Sequence, residues 1–285
     1  MFLRGSAHAQ GEHLEAPQCE FFWKWKLRRR EVHAVLEEKL YMKIKNGVGR
    51  AIADFDLIEE GDRIAVAVSG GKDSYALLHI LESLRKRAPI RYELLAINID
   101  SGYPGYRADI IEEHLARHGF AYHMEKTEHY QIIQEKRRPG SSYCSICARL
   151  KRGALYVLAK QFKCNKLALG HHMDDFIETL LLNQFFVGSL KAMAAKMLAD
   201  NGETTVIRPL VYVPEKDIIP FAKGNGYPVV CCKCPACGVA DLQRKKMKEL
   251  LSSLEKDNPH VKRSMLRALS NVQPRYLLDP NLRRN

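Results

Sequence analysis

Three short stretches of this chain place chemically capable side chains close together. The first is Ser69-Gly70-Gly71-Lys72-Asp73-Ser74. Glycines let backbone N–H groups approach an anion, a helix N-terminus adds partial positive charge, and Lys72 adds a full one, so this stretch suits phosphate. It is not the GxxxxGK[ST] loop of common nucleotide hydrolases, because Gly71 alone separates Gly70 from Lys72 and Asp73 follows the lysine. The second stretch is His171-His172-Met173-Asp174-Asp175, with Glu178 one turn on. Its carboxylates suit a helix N-cap, but capping does not account for two adjacent histidines, which favour a functional role. The third is a set of cysteines. Of eight, six fall in two groups, Cys144/Cys147 and Cys231/Cys232/Cys234/Cys237, while Cys19 and Cys164 stand alone. In a reducing compartment such grouping points to metal rather than disulfides. Four thiolates close a tetrahedral zinc site, whereas three hold a 4Fe-4S cluster with one iron open; composition does not separate the two.

The elements that must position these residues are legible from periodicity. Ile64, Val66 and Val68 form an apolar, β-branched run typical of a strand covered on both faces. Tyr75, Leu77, Leu78 and Leu81 then follow helical spacing, so Ser69-Gly70-Gly71 is a strand-to-helix turn. Tyr92–Asp100 predicts a second strand, whose end brings Asn98 and Asp100 to the ligand edge of the sheet, bordering an adenosine. A helix over Ala108–His118 and a strand near Ala121–Lys126 follow, then a polar loop over Glu135–Ser142. Cys144 and Cys147 open a helix running to Phe162, a position that lowers thiolate pKa. Lys166–Gly170 is a further strand leading into the His171–Asp175 stretch and another helix. Thr205–Tyr212 reads as extended, interrupted by Pro209, and Glu215–Asn225 as a short helix. Two basic helices, 241–255 and 261–271, end the pattern, and one long or two shorter amphipathic helices over 31–55 precede the sheet. The alternation predicts an α/β, doubly wound, mostly parallel sheet with N- and C-terminal helical extensions. The expected division is a flexible tail (1–22), a basic helical extension (23–60), a nucleotide-binding catalytic domain that also carries both cysteine groups (61–238) and basic C-terminal helices (239–285).

With 285 residues and 46% hydrophobic side chains the chain can fill a sizeable core. It contains no apolar run of about eighteen residues and no signal-peptide pattern at its start, so a soluble cytoplasmic protein with no membrane partner is expected. Lys and Arg number 45 against 33 acidic residues, a net charge of +12. That excess argues for a polyanion larger than ATP, and nucleic acid is the natural candidate. It is clustered at Lys24–Arg30 around Trp23 and Trp25, at Arg149/Lys151/Arg152, at Arg244–Lys248, at Lys262/Arg263/Arg267 and at Arg283/Arg284.

Two resemblances extend this reading. SGGKDS resembles the pyrophosphatase-loop (PP-loop) signature of enzymes that cleave ATP between the α and β phosphates and attach AMP to a substrate. The ordered blocks CSICARLKRGALY, LALGHHMDDFIETLLLN, GSLKAM, VIRPL, GYPVVCC and CGVADLQR then resemble the tRNA 2-thiocytidine synthetase branch of the tRNA thiolation enzymes, over about Ile64 to Arg244. The resemblance implies ATP- and 4Fe-4S-dependent replacement of oxygen by sulfur at carbon 2 of a tRNA pyrimidine, through an adenylated base. The implied target is a cytidine at anticodon-loop position 32, and AMP and pyrophosphate are released. Ser69, Gly70, Gly71, Lys72, Asp73 and Ser74 would hold ATP, with Asn98, Asp100, Gly170 and His171 around the nucleotide and Mg2+ shielding the pyrophosphate. Lys72, Asp73, Asp174, Asp175 and Cys232 would be catalytic. Cys144, Cys147 and Cys232 match the cluster ligands, with Cys234 the alternative third and the spare thiols able to relay sulfur. The implied partners are tRNA, a sulfur donor (cysteine desulfurase or sulfide) and a second copy of the chain.

The chain departs from the branch in one place. Where a second CxxC is usual it has Cys231-Cys232-Lys233-Cys234-Pro235-Ala236-Cys237. It also lacks the paired N-terminal cysteines of the related 2-thiouridine synthetases, which favours cytidine over uridine. A 2-thiouridine synthetase, an adenylating ligase that adds an amine, and a zinc-stapled RNA-binding protein with a vestigial nucleotide loop are the alternatives.

Overall fold

The structure, a computed structural model, describes residues 16–137, 143–234, 242–279 and 281; the side chains of 16–34 and 242 lie outside that description. At the centre is β1 (Arg63–Ala67), whose Ile64, Ala65 and Val66 are fully buried, as expected of a strand covered on both faces. It pairs in parallel with β2 (Glu93–Asp100) on one side and β4 (Lys166–Ala168) on the other. Beyond β2 lies β3 (Tyr122–Lys126) and beyond β4 lies β6 (Thr205–Ile207), both parallel; β5 (Lys196–Leu198) closes the far edge antiparallel to β6. The order β3-β2-β1-β4-β6-β5 is doubly wound. The chain runs outward from β1 to β3 and then crosses to β4, which opens a switch-point crevice at the C-terminal ends of β1 and β4.

Nine α-helices are seen among the described residues: α1 (Ala16–Asp54), α2 (Lys72–Arg85), α3 (Ala108–Arg117), α4 (His129–Lys136), α5 (Tyr143–Gln161), α6 (Met173–Leu182), α7 (Glu215–Gly224), α8 (Leu242–Asp257) and α9 (Val261–Ala268). α5 covers the sheet by laying Leu155, Leu158 and Ala159 on Leu95, Ile97, Leu167 and Val206. α8 and α9 pack on α6, with Met247 and Leu251 buried against Met173, Ile177 and Leu181. Burying such side chains stabilises by about 1.5–3 kcal/mol each, so the C-terminal helices are integral to the fold.

Lys43–Asn285 forms one compact unit, and the residues through Met42 form another. The boundary therefore lies inside α1, not at residue 60, because Ile44, Val48 and Ala51 of that helix are buried in the larger unit. No boundary sets the C-terminal helices apart. α1 also begins at Ala16, inside the stretch expected to be a tail. The structure departs from the sequence pattern in several elements: α4 starts before the expected polar loop, and β5 is three residues with no alternation, stabilised by pairing with β6. Of the stretch expected to be extended, Thr205–Ile207 is β6 but Pro209–Tyr212 is a 3-10 helix, since Pro209 has no N–H for a strand ladder and its fixed φ suits a helical first turn. Residues 138–142 of that loop, and Cys237, lie outside the described residues. Among the described residues no helix is long and apolar enough to cross a membrane.

Candidate functional site

The turn after β1 is shaped by its own short side chains. Ser69 Oγ accepts from the Gly71 N–H at 3.3 Å, and Ser74 Oγ donates to the Gly71 carbonyl at 2.8 Å. Gly70 adopts φ +81°, and a Cβ there would lie 2.8 Å from Ile111 Cδ1, so both backbone and space demand glycine. Behind the turn, the fully buried Asn98 donates to the Val68 carbonyl at 2.6 Å and to Tyr106 Oη at 2.9 Å. Asn98 thus holds the strand end beneath the turn. Asp100 Oδ1 accepts from the Gly102 N–H at 2.9 Å, so its carboxylate shapes the loop after β2.

Lys72 Nζ sits 3.1 Å from Asp73 and 3.0 Å from Glu215. Burial alone pushes its pKa down, but Asp73 and Glu215 together reverse this and raise it, leaving a firmly charged ammonium at the N-terminus of α2. Burial likewise favours the neutral acid at Glu215, yet hydrogen bonds from Lys248 and Lys72 outweigh it and lower its pKa to about 2.

The turn after β4 presses against this helix start. A Cβ on Gly170 would meet the Asp73 backbone carbon and the Ser74 nitrogen at 3.2 Å, so glycine permits the approach. His171 Nδ1 accepts from Arg208 Nε at 3.2 Å, and burial, then the Arg208 charge, lower its pKa to about 4, so it is neutral near pH 7. Asp175 Oδ2 accepts from the His172 N–H at 2.9 Å, the reciprocal half of a helix cap. Its Oδ1 faces Arg244 at 3.5 Å. Asp174 is buried and doubly engaged: Oδ2 accepts from the Glu215 N–H at 2.7 Å, and Oδ1 pairs with Lys262 Nζ at 2.8 Å. That carboxylate therefore places the start of α7, and with it the Glu215 side chain that holds Lys72. Asp73 Oδ1 differs from these, being buried with no hydrogen-bond partner and 3.8 Å from His172 Nε2.

The cysteine groups, remote in sequence, converge on the same edge. Cys144 is exposed and Cys147 half-buried in the first turns of α5. Cys147 and Cys234 pack on one cluster built from Tyr103, Ile133 and Tyr143. Cys232 Sγ and Cys234 Sγ are 3.3 Å apart, and Tyr103 Oη donates to Cys147 Sγ at 3.5 Å. Burial, with Cys147 and Tyr143 alongside, raises the Tyr103 pKa and keeps that hydroxyl a donor. The Val230 N–H donates to the Gly70 carbonyl at 2.9 Å, tying the strand of chain before Cys231 to the phosphate loop. A donor set of thiols in an aromatic, partly dry shell, with a hydroxyl aimed at one sulfur, fits a thiolate-ligated iron-sulfur group.

Glu215, Arg208, Tyr103 and Tyr106 were not singled out in the sequence. Only Glu215 carried a signal, an acidic residue following Pro214 at a helix start. Of the basic clusters, Arg244 and Lys262 turn inward to carboxylates, whereas Arg149, Arg152, Lys245, Lys246, Arg263 and Arg267 are exposed. A cleft of about 930 Å³ is lined by Lys43, Arg50, His260, Arg263 and Arg267, with Phe55 and Tyr212 on its wall.

The PP-loop domain family matches residues 37–230. The tRNA-cytidine(32) 2-sulfurtransferase of Geotalea uraniireducens is 78% identical over 246 residues, covering 86% of this chain and 98% of that protein. Its counterpart in Citrifermentans bemidjiense is 77% identical over 251 residues, covering 88% and 98%. Among solved structures, the U34-tRNA thiolase NcsA from Methanococcus maripaludis with its 4Fe-4S cluster superposes with a TM-score of 0.70 at 25% identity, covering 82% of this chain and 79% of that one. Phosphate turn, acid-capped β4 turn and convergent thiols thus occur in a chain that belongs to the PP-loop family and, within it, to the tRNA-cytidine(32) 2-sulfurtransferases.

Proposed function

We propose that this protein replaces the oxygen at carbon 2 of cytidine 32 in tRNA by sulfur, using ATP to activate the base. The observation that carries this reading is the hydrogen bond from Val230 to Gly70, which joins the cysteine segment to the phosphate loop. A pyrimidine carbonyl oxygen is a poor leaving group. In the proposed reaction it attacks the α-phosphate, the α–β bond breaks and pyrophosphate leaves; sulfide then displaces the oxygen from carbon 2 as part of AMP. The N–H groups at the start of α2 and the Lys72 ammonium stabilise charge building on the phosphates, while Glu215 and Asp73 keep Lys72 charged and aimed. Ser69, Gly70, Gly71 and Ser74 shape the cradle, and Gly170 with neutral His171 walls it from the β4 side. Asp73, whose Oδ1 is buried and unpartnered, and Asp175 are the carboxylates suited to Mg2+ beside the pyrophosphate. Asp174 acts one step back, through Glu215.

Cys144, Cys147 and Cys232 are the assigned cluster ligands, with Cys234 at 3.3 Å from Cys232 as the alternative third. A 4Fe-4S cluster held by three thiolates supplies one open iron at which sulfide can bind. The tRNA backbone is assigned to the cleft lined by Arg263 and Arg267 and to the exposed arginines of α5, where phosphate contacts give salt-dependent affinity. The exposed apolar run Phe185, Phe186, Val187 and Leu190 supports self-association as a homodimer. A cysteine desulfurase or free sulfide is the proposed donor.

The test is nucleoside mass spectrometry of tRNA from a strain lacking the gene, alone and carrying it again. Loss of 2-thiocytidine on deletion and return on complementation are expected. Unchanged 2-thiocytidine in the deletion strain would sink the proposal.

A further inference from the structure

Away from the thiols, three histidines meet between α2 and α3. His114 lies in the last turn of α3 and His118, four residues on, caps the C-terminus of that helix, so the two share a face, and His79 reaches them from α2. One ring nitrogen from each of the three lies within 4.8 Å of the other two. His79 Nε2 and His114 Nε2 are 2.9 Å apart, and His118 Nδ1 lies 2.8 Å from the His114 carbonyl. A carbonyl accepts only, so His118 Nδ1 carries the hydrogen and Nε2 keeps its lone pair, the arrangement by which backbone groups orient ligating imidazoles. Tyr227 stacks on His79 at 4.8 Å and Tyr75 meets His114 edge-on at 4.7 Å, closing the apolar side. His118 is exposed and leaves the other side open to solvent.

We propose that His79, His114 and His118 bind one divalent cation of the zinc type. Three imidazoles without a carboxylate favour Zn2+, Co2+ or Ni2+ over Mg2+ or Ca2+, and the absence of thiolate from the trio separates this ion from the iron-sulfur chemistry. Burial, together with the neighbouring histidines, lowers the His79 pKa to about 3, and burial, with His118 and Arg117, lowers that of His114 to about 4, so both offer lone pairs near pH 7. Between His79 and His114 one Nε2 must now carry the hydrogen of an N–H···N bond. Ligation replaces that bond, and the affected ring moves its hydrogen to Nδ1 without net proton release.

The alternative is an aromatic nest in which the imidazoles only pack. Ligation would do more than pack, because it ties α2, which begins at Lys72, to α3, whose Ile111 touches the space beside Gly70. The ion would brace two walls of the phosphate loop from outside the reaction site.

The experiment uses chelator-washed, cluster-loaded protein titrated anaerobically with Co2+, so that the cluster-ligating cysteines are occupied and any Co2+ held by a spare thiol is seen as thiolate-to-cobalt charge transfer. One equivalent of Co2+ is expected to bind with weak visible bands and without thiolate-to-cobalt charge transfer. His118→Ala, an exposed position, is expected to weaken Co2+ binding by more than about 100-fold, since loss of an outer partner alone costs about 10–100-fold. Zn2+ should raise the melting temperature of the parent protein and not of the variant. No Co2+ binding, binding with a thiolate signature only, or equal affinity in His118→Ala would each overturn the assignment.

Discussion

Around Ser69–Ser74 the contacts that shape the turn come from its own residues: Ser69 with Gly71, Ser74 with Gly71, Lys72 with Asp73. At the thiols a local contact joins Cys232 to Cys234, but contacts across the fold bring the two cysteine groups together. Cys147 stands on a helix and Cys234 in irregular chain, and they meet because Tyr103, Ile133 and Tyr143 gather them on one cluster. The nucleotide half is thus specified by neighbours in sequence and the cysteine half by contacts across the fold, with the Val230–Gly70 hydrogen bond joining them. The difference teaches that the halves should fail separately, except where a substitution strikes their junction.

Cys147→Ala tests this most severely. Iron and thiolation should be lost completely while the affinity for an ATP analogue stays within about twofold, as for well-separated sites; iron analysis and calorimetry read the two quantities. Lys72→Ala is the mirror image. Turnover should fall about 10²–10³-fold, the usual cost of removing one stabilising donor, with iron content unchanged; loss of iron in this variant would break the separation. Gly70→Ala should strike both halves, because a Cβ meets Ile111 at 2.8 Å on a residue held at φ +81°. A cost of about 1–3 kcal/mol is expected, seen as a lower melting temperature, together with weaker nucleotide binding and lower iron retention.

The smallest effect concerns acid. Glu215 titrates near 2 in the folded protein against an ordinary 4.5. The unfolded chain therefore binds the proton more readily across that interval, so the contribution of the Lys72–Glu215–Lys248 contact is complete above pH 4.5 and is lost as pH falls towards 2. Glu215→Gln should flatten the stability curve in that window and cost about 1 kcal/mol at pH 7, measured by denaturant titration. An unchanged acid limb would show that the contact does not brace Lys72.

Much of the sheet was legible because β1, β2 and the strand after Cys164 are apolar runs bounded by turn residues. β5 was not, since three residues carry no period and form a strand only beside β6. The roles of the acidic stretch were equally hidden. Asp174 and Asp175 read alike in sequence, yet one is buried between the start of α7 and Lys262, and the other caps α6 and faces Arg244. Their neighbours decide the difference, and those come from α7, α8 and α9.

By itself the sequence determined the phosphate turn, because strand, glycines, lysine and helix start follow one another directly and local geometry suffices to form the cradle. It also determined that the cysteines group in two sets and that the chain carries excess positive charge. Only the tertiary structure decided that both sets reach the edge that holds Lys72, that basic side chains of the last helices turn inward to Asp174 and Glu178, and that three histidines from two helices share one spot. The physical reason is that these contacts lie between segments far apart in the chain. Burial of the sheet, and of Met247 and Leu251 against α6, provides the free energy that closes those loops, and spacing along the sequence carries no record of it.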